Sequence, residues 1–274
     1  MVQTVFRQFR RSIISALFPD RCLLCDRLYH RPWPVAEQNR NIRPRNRITA
    51  FASFAKQVIC DSCVPKFSMI ESPVCTMCGM MFVSREGEDH VCGNCCKLPK
   101  HFMTARAAAV YDNLLMHSIL LLKYQGRTGL AKPLGRILLF AFLHYFATQN
   151  PDIIIPVPLH PQKMRQRGFN QVFLMIHDWE QQLPEHGYHT PFQIRKNILQ
   201  KDKNTSAQTG LSKNRRIRNI KDAFRLENGS DIAGKNILIV DDVYTTGSTV
   251  NECARVLRKG GANRVDVLTL ARAV

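Results

Sequence analysis

No apolar run in this 274-residue chain is long enough to cross a bilayer. The longest, Ile137 to Ala147, is interrupted by His144 and falls short of the ~20 residues that a spanning helix needs. Acidic residues are also scarce, with 21 Asp and Glu against 39 Lys and Arg. The resulting formal charge of +18 favours polyanions such as nucleic acid, or an anionic membrane surface, and charge alone does not choose between them. Several chemical signatures are missing as well. Neither G-x-x-x-x-G-K-S/T nor G-x-G-x-x-G occurs, which disfavours ATPase and dinucleotide oxidoreductase activity. H-E-x-x-H and G-x-S-x-G are absent too, removing the common hydrolase signatures.

The opening segment places Arg7, Arg10 and Arg11 before a short apolar run, the way a secretory leader begins. Ser12 and Ser15 break that run, and no small-x-small cleavage site follows it. Phe6, Phe9, Ile13, Ala16 and Leu17 instead recur at helical spacing, so residues 1–18 read as an amphipathic helix packed on the cysteine domain, with a membrane-surface anchor as the alternative. The chain is therefore expected to be soluble and cytoplasmic, where paired thiols are more often metal ligands or redox centres than structural disulfides.

Nine of the ten cysteines fall before residue 97. Cys253 stands apart in a helical pattern with Val250, Ala254 and Leu257, where a small buried hydrophobe is the simplest reading. Four C-x-x-C units occur, Cys22/Cys25, Cys60/Cys63, Cys75/Cys78 and Cys92/Cys95. Two intervening residues let a tight turn aim both sulfurs at one ion, so each unit is half of a tetrahedral site. Pairing neighbours gives one site of Cys75, Cys78, Cys92 and Cys95, and another of Cys22, Cys25, Cys60 and Cys63, while a cross-braced arrangement remains open. Cys96 and His90 are spare donors beside the last pair. The two-plus-two pattern favours two structural zinc ions over an iron–sulfur cluster. A region of this size with few aliphatic residues has a poor core, so bound metal is expected to supply its folding free energy.

Basic residues cluster twice, at Arg40, Arg43, Arg45 and Arg47 and at Lys213, Arg215, Arg216, Arg218 and Lys221. Both read as loops, either simply solvated or touching a polyanion. The polar segment Ile194 to Phe224, costly to bury, is expected to form a long mobile loop. Beyond the cysteines, apolar strands alternate with helices: strands at Ala107–Tyr111, Ile153–Pro156, Ile237–Val240 and Val265–Leu270, and helices at Leu114–Lys123, Leu130–Phe146, Phe169–Gln182 and Ser248–Lys259. That alternation predicts an α/β domain on a mostly parallel sheet. The expected organisation is an N-terminal helix over 1–18, a cysteine-rich domain over 19–100 and the α/β domain over 101–274.

The most informative stretch begins at Asn236, NILIVDDVYTTGSTVNECARVLRKGGA. It reads as a buried strand whose end carries Asp241 and Asp242, then a small-residue loop entering a helix. Ligands of parallel sheets gather beyond the carboxyl ends of the strands. Two carboxylates there suit vicinal ribose hydroxyls and a hydrated Mg²⁺. Thr245, Thr246, Gly247, Ser248 and Thr249 offer amides and hydroxyls at a helix N-terminus, where phosphate is favoured.

VDDVYTTGST resembles the signature loop of the type I phosphoribosyltransferases, which use phosphoribosyl pyrophosphate and Mg²⁺. Taken with the cysteine-rich N-terminus, LKYQGR at Leu122–Arg127 and PVPLHPQKMRQRGFNQ at Pro156–Gln171, the chain is similar to the ComF family of competence proteins and its GntX-type relatives. The resemblance implies a phosphoribosyltransferase-like fold with an N-terminal double zinc ribbon, with Asp241 and Asp242 as the catalytic acids. It also implies that Arg165 and Arg167 bring positive charge to the pyrophosphate, and that Gln208, Thr209, Leu211, Arg215, Asn219 and Phe224 belong to a lid. Lys123 and Tyr124 match a family motif whose role the residues leave open; a plain helix end is the alternative. Family members are associated with natural transformation, in which single-stranded DNA is handled. Three functions stay in competition: a competence-type protein binding single-stranded DNA and a phosphoribosyl ligand, an active transferase on a nucleobase or amine, and a non-catalytic module recruiting a competence helicase. Trp33 and Phe169 are candidate stacking residues for the first of these.

Overall fold

The computed structural model describes residues 20–29, 55–56, 58–98, 100–204, 220–227 and 232–274. The expected helix at 1–18, Trp33, the Arg40–Arg47 cluster, and Gln208, Thr209, Leu211, Lys213, Arg215, Arg216, Arg218 and Asn219 lie outside the described residues. The chain divides into two compact units, Met1–Phe67 and Ser68–Val274. In the smaller unit, strands β1 (Asp20–Arg21) and β2 (Leu28–Tyr29) pair antiparallel around the turn that carries Cys22 and Cys25.

The larger unit is built on five strands: β3 (Ala105–Val110), β4 (Ile153–Pro156), β5 (Gln193–Ile194), β8 (Asn236–Tyr244) and β9 (Arg264–Arg272). Every pairing in it is parallel, and the spatial order is β3-β9-β8-β4-β5. Such a sheet needs cover on both faces, and its central strands accordingly read as unbroken apolar runs. Ile153 to Ile155 and Ile237 to Val240 are all buried. The outer edge of β3 meets the chain that precedes it, through a Met69–Ala109 bridge and a bond from Val110 N to Ser68 O at 2.9 Å.

Seven helices matter here: α1 (Gly93–Lys97), α2 (Asn113–Gln125), α3 (Ala131–Tyr145), α4 (Pro161–Arg167), α5 (Gln171–Ile176), α6 (Trp179–Gln182) and α7 (Ser248–Lys259). Asp112 caps α2 by accepting from Leu115 N, and Gly126, with φ of 64°, ends it in the left-handed conformation. None of the described helices is long and apolar enough to cross a membrane.

Two expectations differ from what is found. The single helix foreseen over Phe169–Gln182 is two short ones, because Asn170 spends its side chain capping the amides of Val172 and Phe173, and the backbone leaves helical geometry at Asp178 before restarting at Trp179. The polar stretch from Ile194 to Phe224 is not loop throughout. Within its described parts, β6 (Leu199–Lys201) pairs antiparallel with β7 (Phe224–Leu226). Ile198, Leu199, Ala223 and Phe224 are buried there, so a few well-spaced apolar side chains hold it.

Candidate functional site

The eight C-x-x-C cysteines form two groups, Cys22/Cys25/Cys60/Cys63 and Cys75/Cys78/Cys92/Cys95, with the sulfurs of each group within 4.8 Å of one another. That is the neighbour pairing. Cys25 Sγ lies 3.8 Å from Cys60 Sγ, and Cys78 Sγ lies 3.8 Å from Cys92 Sγ. A tetrahedron of thiolates at the usual zinc–sulfur distance of about 2.3 Å has edges of about 3.8 Å, so the donor set fits zinc. Backbone amides support the sulfurs: Cys60 N donates to Cys22 Sγ at 3.3 Å, and Cys78 N and Cys92 N donate to Cys75 Sγ at 3.4 and 3.3 Å. Burial opposes ionisation of Cys75, yet these amides and that of Met77 bring its thiol down to about 6. Cys96 is exposed and outside both groups. His90 stacks on Phe82 at 3.9 Å, and its Nδ1 lies 3.0 Å from Glu88 O.

The acidic doublet sits inside β8 rather than beyond it. β4 stops at Pro156, opposite Val240, while β8 runs on beside β9 as far as Tyr244. Successive side chains of a strand point to opposite faces, so Asp241 and Asp242 leave the sheet in opposite directions. Asp242 is buried against α2 and α5. Lys123 Nζ donates to its Oδ1 at 2.7 Å, and Gln171 Nε2 donates to its Oδ2 at 2.6 Å. Gln171 Oε1 in turn accepts from Arg167 Nη1 at 2.5 Å. Burial pulls the Lys123 ammonium down, but the carboxylate of Asp242, reinforced by Asp241, outweighs it and the net shift is upward.

Asp241 is half-buried, and its Oδ1 accepts from the amide of Asp242 at 2.9 Å. Burial and the adjacent Asp242 push its carboxyl up to about 7, against the pull of Lys123 and Lys201. At neutral pH the doublet thus carries less than its full two charges. Among the described residues, four cations gather near it: Lys123 on Asp242, Arg167 held through Gln171, Lys201 in the field of Asp241, and Lys163 in the field of Arg167 and Lys123. Burial, then the fields of Arg167 and Lys123, lower the pKa of Lys163; burial, then Lys163, lower that of Lys201. Clustered positive charge beside a partly protonated Asp241 favours an incoming anion.

Past Tyr244 the chain turns through Gly247, whose φ is 74°, into the first turn of α7. Amides at the start of a helix have no intrahelical acceptor, and the dipole adds partial positive charge. Thr246 Oγ1 and Ser248 Oγ are 2.8 Å apart, facing one another over this turn. A Cβ on Gly247 would lie 2.1 Å from the Tyr244 hydroxyl, so no larger residue fits against that ring.

The phosphoribosyl transferase domain family matches residues 187–273. DNA utilization protein YhgH of Shigella flexneri is 35% identical over 218 residues, covering 78% of this chain and 90% of that protein. Competence protein F of Haemophilus influenzae is 31% identical over 225 residues, covering 80% and 92% respectively. This chain belongs to the ComF family. Another ComF-related protein, Competence protein ComFC of Bacillus subtilis, is 26% identical over 262 residues, covering 92% of this chain and 94% of that protein.

In this ComF chain, Asp241, Asp242 and the Thr245–Thr249 loop come together at one end of the sheet, with Arg167. Arg165 does not join them. It lies exposed on α4, whereas the four-residue spacing of a helix puts Lys163 on the side of Arg167. Lys163 was readable from that spacing. Gln171 and Lys201 were not, because their place depends on contacts across the fold. Lys123 acquires a definite partner in Asp242, and Tyr124, 69% exposed, lies under the Arg167 guanidinium at 5.5 Å from its ring centroid.

Proposed function

We propose that this ComF-family protein binds phosphoribosyl pyrophosphate, or a related 5-phosphoribosyl ligand, with Mg²⁺ at the acidic doublet and adjoining loop. The observation that carries the reading is the gathering of Lys123, Lys163, Arg167 and Lys201 near the acidic doublet. Asp241, half-buried and facing away from the Lys123–Asp242 pair, accepts ribose hydroxyls. Asp242 keeps Lys123 and Gln171 in place and, through Gln171, aims Arg167 at the pyrophosphate, for which a guanidinium fork is well shaped. Amides and hydroxyls of Thr245–Thr249 take the 5-phosphate. Bound Mg²⁺ supplies neutralisation of the pyrophosphate charge.

Calorimetry with phosphoribosyl pyrophosphate and Mg²⁺ tests this directly. Heat is expected for the parent chain and none for Asp241→Asn/Asp242→Asn; absence of heat in the parent overturns the ligand. Pyrophosphate release with one nucleobase or amine would make the protein an active transferase.

The same protein is proposed to handle single-stranded DNA during natural transformation. The names of its relatives, a DNA utilization protein and competence proteins, support this, as does the net charge of +18. Fluorescence anisotropy with a labelled oligonucleotide should give an affinity that falls steeply from 50 to 200 mM salt, by about ten-fold or more, if several phosphates are contacted. Salt-independent or absent binding would remove DNA from the function.

A further inference from the structure

Arg272, the last residue of β9, is 5% exposed, and among the described residues no carboxylate lies within ion-pair distance of it. Its Nη1 donates to Cys78 O at 2.7 Å, its Nη2 lies 3.5 Å from Cys78 Sγ, and its Nε has no partner. An uncompensated guanidinium in a protein interior is costly, so a buried one marks a buried negative charge. Four thiolates around a divalent cation carry a net charge of −2, and Cys78 belongs to such a set. Arg272 is thus placed as the counter-charge of the Cys75/Cys78/Cys92/Cys95 group.

The carbon of the same guanidinium lies 4.3 Å from the centroid of the Tyr244 ring. Tyr244 is buried, closes β8 and meets Phe102 edge to face at 6.5 Å. Its hydroxyl occupies the space where a Cβ on Gly247 would stand. Sulfur, guanidinium, aromatic ring and left-handed glycine therefore form one line of direct contacts from the cysteine group to the start of α7. All four cysteines also share a buried apolar cluster with Phe102, Tyr244 and Val250, so the line runs through packed interior and not through solvent.

We propose that a metal ion at Cys75, Cys78, Cys92 and Cys95 holds the Thr245–Thr249 loop in shape, with Arg272 and Tyr244 as the positioning residues between them. Outer residues that hydrogen-bond to metal ligands orient and tune the site, and here the same residue bears on a second one. The consequence for ligand affinity rests on the phosphoribosyl reading given above; the consequence for loop order does not.

The test is hydrogen–deuterium exchange on the full-length, metal-loaded protein, comparing the parent with Arg272→Met and Arg272→Lys, with metal content measured on each. Local opening is read residue by residue in this way. In Arg272→Met, amides of 245–249 should exchange about ten-fold faster, within the range for coupling between two sites. Ile153–Pro156 should be unchanged, and Arg272→Lys should restore part of the protection. Unchanged exchange at 245–249, or a rise of equal size across β3, β4 and α3, overturns the proposal. Should Arg272→Met fail to fold, Tyr244→Leu breaks the line one step later and makes the same comparison, with the same two results deciding it. Calorimetry on the same variants should show phosphoribosyl pyrophosphate with Mg²⁺ bound about ten-fold more weakly in Arg272→Met. A parent that binds no phosphoribosyl pyrophosphate but shows the exchange difference sinks the ligand and keeps this coupling; binding by the parent with no exchange difference does the reverse.

Discussion

Lys123 Nζ and Asp242 Oδ1 are 2.7 Å apart and 119 residues apart in sequence, with side chains only 18% and 7% exposed. Removing one partner of such a pair leaves the other charge stranded, which costs more than the pair itself contributes. Lys123→Met should destabilise the fold by about 3 kcal/mol, and Lys123→Met/Asp242→Asn should recover most of that loss. Urea unfolding of the two variants checks it, and equal loss in both would show that the pair is not coupled.

Asp241 gives stability a pH dependence of uncommon sign. Its carboxyl titrates near 3.8 in the unfolded chain and at about 7 in the folded one, so between those values the native state binds more protons. Stability contributed by the protonated acid is complete below the lower value and is lost as pH rises through the upper one. Asp241→Asn removes that penalty. The variant should gain on the parent steadily from about pH 4 to about pH 7 and level off above, by a total on the order of 1–4 kcal/mol, while losing ligand binding. Denaturant titrations of both proteins at matched pH measure the difference, in which the metal-linked titration of the cysteines cancels.

Gly135 on α3 lies against the carbonyl of Met175 on α5, and a Cβ there would stand 2.2 Å from that oxygen. Because α5 begins with Gln171, the contact sets how deeply this amide reaches toward Asp242. Gly135→Ala should push the helices apart, cost about 1–3 kcal/mol as overpacking does, and weaken phosphoribosyl pyrophosphate binding besides. Thermal unfolding with parallel calorimetry tests both halves; lost stability with unchanged affinity would place the helix spacing outside the site.

Elemental analysis should find two equivalents of zinc per chain. Cys96→Ser should leave the count at two, since Cys96 lies outside both groups, and Cys92→Ser should reduce it to about one. Retention of both ions in Cys92→Ser would show that another donor completes the second group.

Much of the larger unit was legible locally: the aliphatic run Ile153–Pro156 is a strand and the helical pattern Ser248–Lys259 a helix, each over the span that its pattern announced. β8 is longer than its apolar run because pairing with β9 carries it through two aspartates, residues that strand propensity disfavours. That extension is also why the two acids face opposite ways, which a reading of the doublet as one unit at a strand end misses. β6 and β7 escaped notice because Leu199 and Phe224 are separated by a long polar stretch, and only their pairing makes a strand of either. Lys201 and Gln171 reach the site through such distant contacts, whereas the C-x-x-C spacing reports its chemistry locally.

The bridge between Met69 and Ala109 and the bond from Val110 N to Ser68 O give the outermost strand of the sheet a short antiparallel neighbour. At the other border β5 is only two residues long. Exposed, full-length border strands invite annealing with a second chain and thence fibrils or precipitates. By blunting one margin and abbreviating the other, the molecule denies its sheet a template for self-assembly.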